Sequence, residues 1–318
     1  GDVPLGTQGN LFGITGGEGT GKSNYIAAIV AGCICPAGAD IDTLGIQITA
    51  NGRHKAVLLY DTEQSEVQLF KNVSNLLARA KQPDKPDELK AFCLTGMSRK
   101  ERLNAIVQSM DKFYYQYGGI QLVVIDGIAD LVKSANDEAE SVAVIDELYR
   151  LAGIYNTCIL CVLHFVPNGL KLRGHLGSEL QRKAATILSI EKDEEPAQSV
   201  VKALKVRDGS PLDVPLMLFA WDKEAGMHVY KGEKPREEKE KRKERELVNV
   251  ARDIFGRQTR ITYIDLCEQL QQVLDIKERT AKSYIRFMRE RNIITKDTAN
   301  QSCFVIGSYN LRWNTSCP

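Results

Sequence analysis

Apolar positions in the first 230 or so residues fall into short runs separated by stretches of helical periodicity. The runs read LFGIT at 11–15, AVLLYD at 56–61, AFCL at 91–94, QLVVID at 121–126, TCILCVLH at 157–164 and TILSIEK at 186–192. Segments long enough for helices lie between most of them, at 65–80, 98–117 and 138–155. Strands that are apolar almost throughout, with helices between them, predict an α/β fold with a mainly parallel sheet covered on both faces. After residue 185 the runs crowd together as VVKALKV, PLMLFAW and MHVY, which predicts an antiparallel extension of that sheet. The first domain is thus read as residues 1–231.

Residues 232–246, GEKPREEKEKRKERE, mix acids with bases and carry no large apolar side chain, so they read as a solvated linker or exposed helix. In residues 247–318 short helices and a terminal strand pair take over. TYIDLCEQLQ carries apolar Ile264, Leu266 and Leu270, and a second helix is predicted from about Lys277 to Arg291. On it Arg279, Lys282, Arg286 and Arg289 recur at steps of 3, 4 and 3 and share one face, beside an apolar face of Ala281, Ile285 and Met288. NIITK and SCFVIG then complete a hairpin. This order resembles a small winged helix-turn-helix domain, whose basic second helix would bind duplex DNA through phosphates and base edges. The alternative is a protein-contact module whose basic stripe is simply solvated.

Composition alters this picture little. A chain of 318 residues with 43% apolar content can bury two cores. Its net charge of +1 supplies no global field, so any nucleic-acid contact must come from local clusters. No apolar run approaches the roughly 18 residues of a membrane span, and no secretory leader is visible. A cytoplasmic protein without a membrane partner is expected. Among the eight cysteines, Cys33/Cys35 and Cys158/Cys161 have pairwise spacings that invite a zinc reading. They follow an apolar helix or sit inside CILCVLHF, so buried reduced thiols are expected instead.

The chemistry enters at residues 16–23, GGEGTGKS, which spell G-x-x-x-x-G-K-S between a strand and a helix. In such a P-loop, Gly16, Gly17, Glu18, Gly19, Thr20 and Gly21 wrap backbone N–H groups around the β-phosphate. Lys22 reaches the β- and γ-phosphates, and the Ser23 hydroxyl ligates Mg²⁺. ATP with Mg²⁺ is the expected cofactor pair. Asp126, ending LVVID, has the Walker B position for the same Mg²⁺. Gly127 follows it, so the second acid that many motor ATPases carry there is absent. The group that orients water is sought in LLYDTEQS, where Glu63 and Asp61 compete and either Asp61 or Thr62 would alternatively cap a helix.

These motifs together resemble the RecA-like P-loop ATPases over about residues 9–230, in which a glutamate at the place of Glu63 polarises the attacking water. Further on, CVLHFVPNGLKLRGHLGSEL resembles the sensor strand and DNA-facing loop of hexameric helicases of the DnaB and plasmid RepA type. That resemblance implies a γ-phosphate sensor in His164 and single-stranded DNA contacts in a central channel from Lys171 and Arg173. It also implies a turn at Gly174, Gly177 and Ser178. KALKVRDG resembles their K-x-R-x-G strand, which implies that Lys205 and Arg207, followed by Gly209, complete a neighbouring subunit's site. A homo-oligomer, of hexameric type, follows. The implied function is an ATP-hydrolysing DNA helicase or translocase in plasmid or mobile-element replication. A DNA-binding ATP switch acting as regulator, loader or recombination mediator would use the same site without processive unwinding. A small-molecule kinase is disfavoured, since no arginine-rich lid segment is evident.

Overall fold

The computed structural model describes residues 3–164, 174–193, 197–235, 239–256, 258–274, 276–298 and 300–309. They divide into two compact units, Gly1–Pro235 and Arg236–Pro318.

The first unit is built on a nine-stranded sheet. In chain order its strands are β1 (Leu11–Gly16), β2 (Ala56–Asp61), β3 (Leu89–Cys93), β4 (Ile120–Asp126), β5 (Cys158–His164), β6 (Thr186–Lys192), β7 (Gln198–Val206), β8 (Leu216–Asp222) and β9 (Met227–Lys234). In space they run β3-β2-β4-β5-β1-β6-β7-β8-β9. Pairing is parallel from β3 through β6 and antiparallel from β6 onward.

Alternation explains why the central strands look uniformly apolar. Phe12, Ile14, Val57, Leu59, Val124, Leu160 and Val162 face one core. Their neighbours Leu11, Leu58, Tyr60, Val123, Ile125, Ile159, Cys161 and Leu163 face the other. Helices α1 (Lys22–Ile34) and α2 (Glu66–Arg79) cover the first face; α3 (Arg99–Tyr117), α4 (Glu138–Ile154) and α5 (Gly174–Lys183) cover the second. α1 is apolar nearly all round because it lies between the sheet and residues 41–48, where Leu44 and Ile46 are buried. Polar caps fix the helix starts. Ser65 accepts from Gln68 N, Ser98 and Glu101 form a capping box, and Asp137 accepts from Glu140 N.

Several elements differ from the sequence reading. β9 runs to Lys234, beyond MHVY, because the alternating exposed and half-buried residues Lys231 to Lys234 suit an edge strand. Gly174 opens α5 at a left-handed φ of 65°, whereas Gly177 and Ser178 lie within the helix rather than in the turn into it, since Leu176 and Leu180, four residues apart, anchor a helical face there.

In the second unit, the charged segment continues into helix α6 (Lys239–Phe255), whose later half buries Leu247, Val248, Val250, Ala251, Ile254 and Phe255. Then come β10 (Ile261–Thr262), α7 (Tyr263–Leu274), α8 (Glu278–Glu290), β11 (Ile294–Lys296) and β12 (Cys303–Ile306), with an antiparallel sheet ordered β10-β12-β11. Ile264 is exposed, and Cys267 joins Leu266 and Leu270 in the core instead.

Cys33, Cys158, Cys161 and Cys267 are buried free thiols, and burial pushes Cys33 and Cys158 up to about 12. Such thiols are inert. Among the described residues no helix is long and apolar enough to cross a membrane.

Candidate phosphate-binding site

The carboxyl ends of β1, β2, β4 and β5 converge on a cleft of about 310 Å³ lined by Glu18 to Asn24, Glu63, Gln64, Asp126, His164 and His228. Parallel strands leave such an opening at their carboxyl edge, where loops turn away and helix N-termini point in. β1 ends at Gly16 and α1 begins at Lys22, so residues 17–21 form the loop between them. Gly21 caps the helix at φ 93°, and a Cβ there would sit 2.8 Å from the Phe219 ring. Only glycine meets both demands. Thr20 Oγ1 donates to Gly17 O at 2.9 Å and braces the turn.

Lys22 is buried, and its Nζ donates to Gly16 O at 3.0 Å and Gly17 O at 2.6 Å. Burial lowers its pKa, while Asp126, Glu63 and Glu18 oppose the shift. Its ammonium is thus held within the loop, beside three acids.

The strand tips sort the competing carboxylates. Asp61 is buried, and its Oδ1 accepts from Glu63 N at 3.0 Å and Gln64 N at 2.8 Å. Its role is to shape the turn that presents Glu63. The α2 cap is Ser65, so neither Asp61 nor Thr62 caps that helix. Thr62 Oγ1 instead donates to Asp126 O at 3.0 Å and Gly127 O at 2.8 Å, tying the β2 tip to the β4 tip.

Glu63 faces the cleft with its Oε2 3.2 Å from His164 Nε2 at the end of β5. The hydrogen bond with His164 lowers the glutamate's pKa, and the same bond raises that of His164. Asp126 is pushed up to about 7 by burial and then by Asp61 and Glu63.

Gly127 explains the missing second acid. Its φ is 97°, and a Cβ there would collide with Thr62 Oγ1 and sit 2.6 Å from Glu63 Cγ. The carboxylate arrives from β2 because position 127 has no room for a side chain.

The donor set fits a hard divalent ion such as Mg²⁺. Among the described residues no group of three His, Cys, Asp or Glu side chains forms a complete metal cage. Mg²⁺ bound with a nucleotide needs only one or two protein oxygens beside the phosphates. Ser23 and Asp126 line the cleft and supply that chemistry, and the crowded acids around Asp126 favour a cation.

Lys205 and Arg207 lie elsewhere. Along β6, Gly16 pairs with Ile190, whereas Lys205 pairs with Ile187 and Val206 with Thr186. Both cations therefore sit toward the opposite end of the sheet from their own P-loop. There Lys205 Nζ donates to Gln181 O at 2.7 Å and Arg182 O at 3.0 Å. Arg207 donates to Lys183 O at 2.9 Å and Asn10 Oδ1 at 3.1 Å. Together they neutralise the carboxyl end of α5.

Lys171 and Arg173 lie outside the described residues. On α8, Lys282 pairs with Glu278 at 2.7 Å and Arg286 with Glu290 at 2.9 Å. Arg289 lies over the Phe304 ring at 5.9 Å. The basic face therefore carries two internal ion pairs, because Glu278 and Glu290 stand one helical turn from Lys282 and Arg286.

His228 was not anticipated. It comes from β9, more than 200 residues beyond the loop it faces, and no motif in MHVY marks it.

A family model described as an AAA domain matches residues 4–168, slightly more than half of the chain, and spans the loop, Glu63, Asp126 and His164. No curated protein matches it.

Proposed function

Because this chain belongs to the AAA-domain family and is an ATPase of the P-loop class, we propose that it works as an oligomeric DNA motor, a helicase or translocase serving plasmid or mobile-element replication. The observation that carries this reading is the separation of charges across one sheet. The acids and Lys22 gather at the carboxyl ends of the parallel strands, while Lys205 and Arg207 sit toward the other end. From there they serve the cleft of an adjacent subunit in a ring, and their own cleft stays incomplete until assembly.

In this mechanism the loop N–H groups and Lys22 hold the β- and γ-phosphates. Glu63, fixed by the Asp61-shaped turn and by His164, orients a water molecule and takes its proton as the water oxygen bonds to the γ-phosphorus. The bond to the β,γ-bridging oxygen breaks and ADP leaves with phosphate. Bound Mg²⁺, held by Ser23 and Asp126, would supply charge neutralisation at the phosphate oxygens. Lys205 and Arg207 of a neighbouring copy stabilise the transferring phosphoryl group, a contribution of roughly 10³ to 10⁵ in rate for such cations. His164 senses the γ-phosphate through its bond to Glu63. Residues 130–140 and 167–178, including Lys171 and Arg173, face single-stranded DNA. The second unit, read as a winged helix, brings duplex DNA to Arg279, Lys282, Arg286 and Arg289.

Mixing Arg207→Ala chains with Glu63→Gln chains tests the assembly. Each variant alone is inactive, and mixtures regain turnover because some clefts combine an intact glutamate with an intact neighbouring arginine. No recovery at any ratio refutes action between subunits. ATP turnover that ignores single-stranded DNA, without strand separation, would instead assign the chain to the switch class.

A further inference from the structure

Behind His228, which lines the cleft, runs an aromatic ladder. Tyr25 of α1, Phe219 of β8, His228 of β9 and Trp221 of β8 form a ladder with successive ring centroids 5.9, 5.7 and 5.5 Å apart. It starts beside Gly21, where the Phe219 ring lies under the phosphate loop, and ends at Trp221, which is 55% exposed. His228 lines the cleft in the middle of the ladder. Its Nδ1 is buried and has no hydrogen-bond partner among the described residues. A buried, unpartnered ring nitrogen is costly unless a ligand completes it.

The imidazole is also held in place. Its own backbone carbonyl accepts from Arg79 Nη2 at 2.6 Å, and Arg79 Nη1 donates to Asp42 O at 2.8 Å. Phe219 and Trp221 meet its ring edge to face. Burial, followed by Arg79 and Lys192, lowers its pKa, which favours the neutral ring. A neutral imidazole can offer an acceptor as well as a π-face.

The phosphates fix the direction of the rest of the nucleotide. Glu63, Asp126 and His164 gather at the strand tips for the γ end, and Asn24 and His228 are among the lining residues left to meet the nucleoside. We infer that His228 and Trp221 seat the nucleoside part of the ligand, the imidazole and the exposed indole packing against the base. This rests on the phosphate-site reading above and extends it to β8 and β9, outside the matched family segment.

The test uses the full chain carrying Trp313→Phe, which leaves Trp221 as the remaining tryptophan of two. ATP and inorganic tripolyphosphate are titrated with Mg²⁺ present, following tryptophan emission and binding heat. Tripolyphosphate shares the phosphates and lacks the nucleoside. ATP is expected to quench Trp221, and tripolyphosphate to displace ATP without quenching. His228→Ala should weaken ATP about tenfold, the scale of one lost base-stacking contact, and leave tripolyphosphate affinity unchanged. Trp221→Ala, at an exposed position that folding tolerates, should weaken ATP in the same selective way when read by binding heat. Unchanged ATP affinity in both variants overturns the inference, as does an equal loss for both ligands. Failure of the parent chain to bind either ligand overturns the phosphate-site reading itself and this inference with it.

Discussion

Replacing Gly127 with alanine probes the junction between fold and chemistry at a single methyl. The residue sits at φ 97°, and the left-handed region costs a side-chain-bearing residue roughly 1–2 kcal/mol. The new Cβ would lie 2.6 Å from Glu63 Cγ and collide with Thr62 Oγ1, an overpacking cost of roughly 1–3 kcal/mol. Thr62 yields only by giving up hydrogen bonds to Asp126 O and Gly127 O, each contributing roughly 1 kcal/mol. Glu63 is the softer neighbour and moves.

The summed cost is roughly 2–5 kcal/mol, which for a unit of this size lowers Tm by roughly 4–20 °C. A displacement of about 1 Å at Glu63 costs turnover about 10²-fold even in the folded population. Calorimetric melting and ATP turnover, measured well below both melting points, check the two parts. An alanine variant that melts within about 1 °C of the parent and hydrolyses ATP at the parental rate would refute the claim that position 127 is kept bare for Glu63.

Three further outcomes are expected. The pair of Glu63 and His164 should show a bounded pH window. The glutamate's folded pKa is lowered, so its contribution is present above the unfolded value and lost as pH falls through the folded one; the histidine's is raised, so its contribution is present below the unfolded value and lost as pH rises through the folded one. The Tm difference between parent and His164→Ala should therefore be largest between about pH 4.3 and 6.5 and shrink on both sides, whereas a difference independent of pH would deny the ion pair. Lys205→Ala should destabilise the isolated subunit by about 0.5–1 kcal/mol through the loss of charge at the carboxyl end of α5, read as faster amide exchange there; unchanged exchange contradicts the contact. Substituting Arg286 and Arg289 together should weaken duplex binding and reduce its salt slope by about one to two, and unaltered binding would make α8 a protein-contact surface.

The parallel part of the sheet was legible because strands buried on both faces must be apolar at every position, as in LVVID and CILCVLH. The P-loop was legible for a different reason. Glycines, a lysine and a hydroxyl at one spacing between strand and helix have few other uses. The choice between Asp61 and Glu63 was not legible, since it depends on which carboxylate the turn consumes, and two backbone N–H groups consume Asp61.

His228 was hidden by distance along the chain, its relation to Gly21 arising only when β6 to β9 extend the sheet past the loop. The positions of Lys205 and Arg207 depend on strand register, and an alternating edge-like pattern reads the same at either end of a sheet. On α8 the counter-ions Glu278 and Glu290 were in plain view, but helical spacing counts attraction as well as alignment.

Single-turnover hydrolysis of ATP by Glu63→Gln, beside its equilibrium binding of the same nucleotide, tests the central claim most directly. Affinity should stay within about threefold of the parent while the chemical step slows by about 10² or more, the scale of a lost general base. Parental hydrolysis rates in that variant would contradict the account, because the water would then be activated by a group other than the carboxylate that β2 delivers to the cleft.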